Sequence, residues 1–164
     1  VSPKLIRKSS PIAQVNGSTN IIAIVGEEIG TTVFSGPGAG MGPTASSVVS
    51  DLVAIASRKS KSTFLTGDKT NGGSKDQSIS KKSSFYLRFI LKDKPGVIAR
   101  LSGQLSNCGI SINQMKQKPL AKQKATLIMV THKTLQENLE KALIDIKKLK
   151  ICEQGPVCIE IQEI

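Results

Sequence analysis

Hydrophobic positions in the second half of the chain alternate between two spacings, one typical of strands and one typical of helices. Strand-like runs lie at 85–92, 110–117, 125–132 and 157–164, and helix-like stretches follow the first and third of them. The helical apolar positions are Val97, Ile98, Leu101 and Leu105, then Leu135, Leu139, Ala142, Leu143, Ile146 and Leu149. The order βαββαβ predicts an α+β fold of the ferredoxin-like type, a four-stranded antiparallel sheet with both helices on one face.

Two local features refine this prediction. Thr134 and Glu137 have the spacing of a capping box, which predicts that the second helix begins there. The other face or an edge of such a sheet is available to a second copy of the chain. The strand at 110–117 would contribute to that contact through one face, comprising Ile110, Ile112, Gln114 and Lys116.

The first 57 residues predict a smaller set of elements. The β-branched runs 21–25 and 31–34 are joined by a turn at 26–30, which indicates a hairpin. A glycine-rich segment follows, and Pro43 and Thr44 then indicate a helix start. Its apolar positions share one helical face: Ala45, Val48, Val49, Leu52, Val53 and Ala56.

Between these parts, residues 58–82 carry seven basic and two acidic side chains among Ser, Thr, Gly and Asn. So few apolar groups cannot offset the entropy lost on ordering, so this stretch predicts a flexible basic linker. The predicted division is therefore 1–57, linker 58–82, and a domain at 83–164.

Composition limits the classes of partner and of binding site that we expect for this chain. The chain has 164 residues and a net charge of +11, which permits an acidic partner such as a nucleic acid. Aromatic residues are only 3% of the sequence, so base-stacking surfaces are scarce, and we expect no nucleic-acid partner. No apolar run approaches a membrane span and no signal peptide is visible, so we expect a cytoplasmic protein. Three cysteines without a CxxC motif and the single His132 favour neither a disulfide framework nor a metal site, and we predict none.

Two motifs could bind ligands. The turn Gly36-Pro37-Gly38-Ala39-Gly40 lies between a strand and a helix, where backbone N–H groups can approach a phosphate, although its register is not that of a Rossmann fingerprint. A tight turn with no ligand is an equally good interpretation. At 92–97, Asp93 and the amides near Gly96 suit the ammonium and carboxylate of a free amino acid, and a plain helix entry is the alternative. No general acid and base pair is visible, so we predict no catalytic residue in this chain.

The segment FSGPGAGMGPTASSVVSDL, with KDKPGVIA and GISI further on, resembles the C-terminal part of bacterial homoserine dehydrogenase, including its ACT domain. The resemblance covers nearly the whole chain except the linker. It implies an oxidoreductase of threonine and methionine biosynthesis that interconverts homoserine and aspartate semialdehyde with NAD(P). It also implies that the nucleotide domain and the catalytic residues lie upstream, so this chain alone should be inactive and should not hold the cofactor tightly.

The resemblance further implies site residues. Gly40, with Gly38 and Ala39, would lie against the cofactor in the complete enzyme. Asp93, Gly96, Val97, Ile98 and Asn113 would contact an amino-acid effector, with threonine expected as the end product of the pathway. A homodimer through the ACT sheets and the hairpin region is implied as well. Two alternatives stay open: a structural ACT module without an effector, or the ACT module of another amino-acid enzyme.

Overall fold

The structure is a computed structural model that describes residues 2–57, 81–120 and 123–163. Most of the predicted linker, residues 58–80, lies outside the described part. The described residues divide into two compact units. The sheet unit comprises residues 2–6 and 81–163, and the hairpin unit comprises residues 7–57.

The elements follow the predicted order, with one strand added at the beginning. The hairpin unit contains a short 3-10 helix, η1 (Pro11–Gln14), two strands and one helix: β2 (Thr19–Gly26), β3 (Gly30–Pro37) and α1 (Met41–Ala56). The elements of the sheet unit are β1 (Lys4–Ile6), β4 (Ser84–Lys92), α2 (Val97–Asn107), β5 (Ile112–Leu120), β6 (Lys124–Thr131), α3 (Gln136–Lys148) and β7 (Val157–Gln162).

The sheet unit has the predicted ferredoxin-like plan. Its strands lie in the order β1-β7-β4-β6-β5, and the pairs β7–β4, β4–β6 and β6–β5 are antiparallel. The strand β1 was not predicted; it pairs in parallel with β7, so the sheet has five strands rather than four. Three residues give too short a pattern to indicate a strand, and their partner lies more than 150 positions away.

The core of the sheet unit lies between one sheet face and the two helices. Alternate residues of β4 and β6 are buried, which is the period that a half-buried strand requires. The helices contribute residues spaced three or four apart, as predicted. The largest fully buried side chains include Phe89, Leu87, Leu101, Leu105, Leu127, Met129, Leu139 and Ile146.

The predicted common face of β5 is wrong. A β-bulge lies between Ile112, which pairs with Thr131, and Gln114, which pairs with Val130. Because the extra residue, Asn113, has no partner across the pair, the alternation reverses there. Ile112 therefore lies on the helix side of the sheet, and Gln114 and Lys116 lie on the open side.

The predicted helix starts also need correction. Helix α3 has Leu135 as its N-cap and no side-chain cap hydrogen bond, so the capping box is not formed. Thr134 is buried and instead bridges to Ser83, each residue's N–H donating to the other's carbonyl oxygen at 2.9 Å. Helix α1 begins at Met41 after Gly40, ahead of the predicted start at Pro43 and Thr44.

The hairpin unit contains the predicted hairpin and helix without a core of its own. Strands β2 and β3 pair from Thr19 and Pro37 to Gly26 and Gly30, as the turn residues predict. Among the described residues of this unit no apolar side chain is buried, and every residue of α1 is exposed. Leu52 and Val53 are each 60% exposed, although they lie on the predicted apolar face. The helix has the pattern of a packed element and no packing partner within the described chain.

Candidate functional site

A cavity of about 320 Å³ lies where β4 turns into α2. This volume is within the range of small-molecule sites in proteins. Its base is apolar, formed by Leu91, Ala125 and Leu127, each at most 2% exposed. The remaining lining residues are Lys92, Asp93, Lys94, Pro95, Gly96, Val97, Ile98 and Gln117. Four of the five predicted effector residues are thus brought together at one corner.

The backbone of this corner is held by specific hydrogen bonds. The N–H of Asp93 donates to the carbonyl oxygen of Gln123 at 2.7 Å, and the N–H of Val97 donates to that of Lys94 at 3.3 Å. Gly96 is the N-cap of α2 with φ +81, a left-handed conformation that glycine adopts without a Cβ clash. α2 therefore begins at this corner, and the dipole at a helix N-terminus favours an anion.

Charges of both signs line the cavity. Lys92, Asp93 and Lys94 are consecutive in the chain, and all three line the cavity. Gln117 reaches this turn from β5, and its Nε2 donates to Oδ1 of Asp93 at 3.2 Å. The arrangement offers cationic groups and amides for a carboxylate, and a carboxylate for an ammonium, above an apolar base.

An ion pair flanks the same corner. Nζ of Lys124 lies 2.8 Å from Oε2 of Glu153. This hydrogen bond from Lys124 lowers the pKa of Glu153, and the nearby charges of Lys124 and Lys92 act in the same direction. Glu153 is tied to β4 through its N–H, which donates to the carbonyl oxygen of Ile90 at 2.8 Å.

The structure differs from the sequence prediction at two residues of this site. Asn113 does not line the cavity, because it occupies the bulge near the opposite end of β5 from Gln117. Gln117 was not predicted. The signal that could have found it is the pairing of Gln117 with Leu127 next to the β4 corner, which depends on the bulge and so on the register of β5.

The glycine-rich turn before α1 brings Gly38, Ala39 and Gly40 together. A Cβ on Gly38 would lie 2.3 Å from the side chain of Asn20, so a larger residue at this position would have to displace that side chain. The N–H of Gly38 donates to the carbonyl oxygen of Ser18 at 2.7 Å, and Gly40 is the N-cap of α1. The turn offers the amides of a helix start and no charged side chain, which fits one wall of a nucleotide site.

Other chemistry is limited in the described part of the chain. No group of three His, Cys, Asp or Glu side chains is close enough to hold a metal ion within residues 2–57, 81–120 and 123–163. Over the same residues, no helix has the length and apolar character needed to cross a membrane. Cys108 is partly buried at the end of α2, as expected of a packing residue, whereas Cys158 is exposed.

A ferredoxin-like sheet unit with a cavity at its first strand–helix corner has the architecture of an ACT domain, and residues 85–150 match the ACT domain family. Residues 1–53 match the homoserine dehydrogenase family. The chain therefore matches the C-terminal part of homoserine dehydrogenases, including an ACT domain.

Individual homoserine dehydrogenases are similar to nearly the whole of this chain. A homoserine dehydrogenase of Helicobacter pylori is 32% identical over 99% of this chain, and one of Pseudomonas aeruginosa is 33% identical over 100% of this chain. The crystal structure of a homoserine dehydrogenase from Thiobacillus denitrificans covers 98% of the chain with a TM-score of 0.73 and 30% identity. The chain spans only 38% to 40% of the length of these relatives.

Proposed function

We propose that this chain is the regulatory portion of a complete homoserine dehydrogenase and that its sheet unit binds a free amino acid as an effector. The observation that carries the proposal is the cavity at the β4–α2 corner, which combines an apolar base with groups for a carboxylate and an ammonium. A zwitterion needs both kinds of partner, each charge-assisted hydrogen bond being stronger than a neutral one.

The shape of the cavity favours a small effector, and we propose threonine. The apolar base is formed by aliphatic side chains, and the volume of about 320 Å³ suits a small amino acid better than a nucleotide. The carboxamide of Gln117 adds a polar group beside Asp93, where a side-chain hydroxyl could be bound. An end product that inhibits its own pathway would explain a regulatory domain on this enzyme.

In the complete enzyme, the reaction we propose is the interconversion of homoserine and aspartate semialdehyde with NAD(P), in the cytoplasm. The hydride transfer is then the chemistry of the cofactor. The contribution of this chain would be the glycine turn Gly38–Ala39–Gly40, whose amides would form part of the cofactor wall. The chain has no predicted acid and base pair, so it should not catalyse the reaction by itself.

We also propose that two copies of the chain pair. The open face of the sheet, away from the helices, has an apolar centre formed by Tyr86, Ile90, Ile128, Val130 and Ile159, all half-buried. A hollow on this face is lined by residues of β5 and β6, Gln114, Lys116, Ile128 and Val130 among them. An apolar face of this kind is typical of an interaction surface.

The effector proposal is tested by isothermal titration and thermal shift of the chain with L-threonine, using L-serine, L-methionine and L-lysine as comparisons. A ligand present at 100 times its dissociation constant stabilises the folded state by about 2.7 kcal/mol, so a rise of several degrees is expected with threonine. Asp93→Ala should abolish this rise, because the ammonium loses its carboxylate partner.

The matched control is Asp145→Ala, which removes one carboxylate from α3, where Asp145 pairs with Lys148 away from the cavity. This variant should respond to threonine as the parent chain does. Selective binding of another amino acid would replace threonine as the effector. No response to any amino acid would contradict the effector proposal and favour a structural module.

A further inference from the structure

We propose that β1 is the element that couples effector binding in the sheet unit to the catalytic part of the enzyme, in preference to the linker. This inference rests on the proposed effector function. The chain passes between the two units twice, at Ile6–Arg7 and through the segment that ends at Lys82. The two crossings differ in length, since the first is a single peptide bond and the second is a long polar segment.

The first crossing has no linker. β1 ends at Ile6 as a strand of the sheet unit, and the hairpin unit begins at Arg7. The following turn is hydrogen-bonded: the N–H of Ser10 donates to the carbonyl oxygen of Arg7 at 2.9 Å, and that of Ala13 donates to Ser10 at 2.9 Å. The side-chain amide of Gln14 donates to the carbonyl oxygen of Lys8. β1 is therefore followed, without intervening residues, by a hydrogen-bonded turn of the hairpin unit.

The second crossing contains residues 58–82, which the sequence predicts to be a flexible linker and most of which lie outside the described residues. A Gly- and Ser-rich segment of about 25 residues has a root-mean-square end-to-end distance on the order of 25 Å and tolerates many separations at little free-energy cost. Such a segment keeps two domains together without setting their arrangement.

The carboxylate of Glu160 contacts a residue near each of the two crossings. Glu160 of β7 lies opposite Lys4, whose Nζ pairs with its Oε2, and Ser83 Oγ donates to its Oε1 at 2.8 Å. Ser83 lies immediately before β4, where the chain re-enters the sheet unit after the linker. The side chain of Glu160 is 17% exposed and that of Lys4 is 37% exposed, so the pair lies near the surface of the sheet unit.

The sheet connects this junction to the effector cavity. Ser83 and Ser84 are at one end of β4, and Leu91 to Asp93 form the cavity at the other, a distance of about 26 Å for a nine-residue strand. β7 pairs with β4 from Ser84 to Arg88 and with β1 from Lys4 to Ile6. If the effector favours one arrangement of paired sheet units, β1 moves with its sheet, and under this proposal the movement reaches the catalytic part through the peptide bond between Ile6 and Arg7.

The test uses two matched insertions in a complete homoserine dehydrogenase that carries this chain. The same six-residue Gly-Ser segment is placed between Ile6 and Arg7 in one variant and between Gly72 and Gly73 of the linker in the other. Effector affinity is measured by titration calorimetry, and inhibition is measured as the change in kcat and KM at saturating effector. Circular dichroism checks that both variants are folded.

The insertion after Ile6 should retain effector binding and lose inhibition, so that a coupling of about 5- to 150-fold falls towards none. The linker insertion should retain both. A second variant, Glu160→Gln, should weaken inhibition with effector binding kept, whereas Asp145→Asn, an equal change of charge on α3, should leave inhibition unchanged.

Three results would overturn the proposal. Inhibition that survives the insertion after Ile6 while the effector still binds would exclude β1 as the coupling element. Loss of inhibition with the linker insertion alone would assign the coupling to the linker. If the parent enzyme binds no amino acid, the effector function fails and the coupling role of β1 fails with it, a result distinguished from the first two because binding itself is absent.

Discussion

Two glycines, Gly96 at the β4–α2 corner and Gly103 within α2, differ in backbone conformation although neither is crowded by other atoms. Gly96 has φ +81, and a Cβ built on it has no described atom within 4 Å. Gly103 likewise has open space around an added Cβ, but it lies inside α2 with ordinary helical backbone. A comparison of alanine substitutions at the two glycines therefore distinguishes backbone strain from steric crowding by the new Cβ.

We predict opposite effects for the same substitution at these positions. Gly96→Ala should lower the free energy of unfolding by about 1–2 kcal/mol, since a non-glycine residue is strained in the left-handed region. Gly103→Ala should raise it by about 0.5–1 kcal/mol, since alanine favours the helix. Urea denaturation of the chain measures both. Equal losses in the two variants would show that space, rather than φ, limits the corner.

At the β1 junction, the electrostatic role of Glu160 predicts a pH dependence. The hydrogen bonds from Lys4 and then Ser83 lower its pKa from the ordinary value of 4.5. Because the folded state binds this proton less tightly than the unfolded state, the carboxylate stabilises the fold at neutral pH. That stabilisation is lost as the pH falls below 4.5 and through the folded-state pKa.

Glu160→Gln should therefore reduce the unfolding free energy at pH 7, by less than about 1 kcal/mol for a pair near the surface. Its stability should also fall less steeply than that of the parent between neutral pH and pH 3. Thermal unfolding across this range measures the effect, and Glu137→Gln, at the exposed start of α3, controls for the removal of one carboxylate. Parallel curves for the parent and Glu160→Gln would refute the assignment.

Helices and strands could be predicted from the sequence where the spacing of apolar positions within the element itself identified it. The alternation of β4 and the three- and four-residue spacing in α2 and α3 identified those elements, because burial on one side determines which positions must be apolar. Features that depend on distant pairing were missed. The bulge at Asn113 changes the face of every later residue in β5, and no residue near it marks the change. Thr134 could cap α3, but it bridges to Ser83 instead.

Substitutions in helix α1 test whether its apolar face has a packing partner in the complete enzyme. Leu52→Ala should leave the unfolding free energy of the chain almost unchanged, since Leu52 is 60% exposed. In a complete homoserine dehydrogenase, where we expect the apolar face of α1 to be covered, the same change should cost about 2–5 kcal/mol. Leu101→Ala, at a position in α2 with no exposure, should cost about 2–5 kcal/mol in both. Equal small effects at Leu52 in both proteins would contradict this view of α1.

Within the described residues of the sheet unit, the sheet face opposite α2 and α3 is apolar at its centre. Ile128 lies near its centre, paired with Arg88 on one side and Lys116 on the other. Ile128→Glu should therefore be tolerated in the folded chain, because two cations flank the new carboxylate, yet it should oppose burial of this face against a second copy.

We expect Ile128→Glu to raise the dimer dissociation constant by about tenfold or more, since burial of an isoleucine contributes about 1.5–3 kcal/mol. Sedimentation equilibrium measures this constant. The control is Ile144→Glu on α3, where Ile144 is 58% exposed on the other side of the sheet unit. If both variants dimerise as the parent does, the pairing must use another surface, such as the hairpin unit.

The parallel pairing of β1 with β7 also has a consequence for synthesis. Lys4 and Glu160 are 156 positions apart, and at about 5–20 residues per second the first strand leaves the ribosome on the order of ten to thirty seconds before its partner. Throughout this interval β1 has no neighbour in the sheet, and β4, once it is made, lacks β7. Of the strands described, β7 emerges last, and its arrival completes both pairings in one step. A ribosome that stalls shortly before Val157 would leave β1 without a partner and one edge of β4 unpaired, and such a nascent chain should be a target for chaperones.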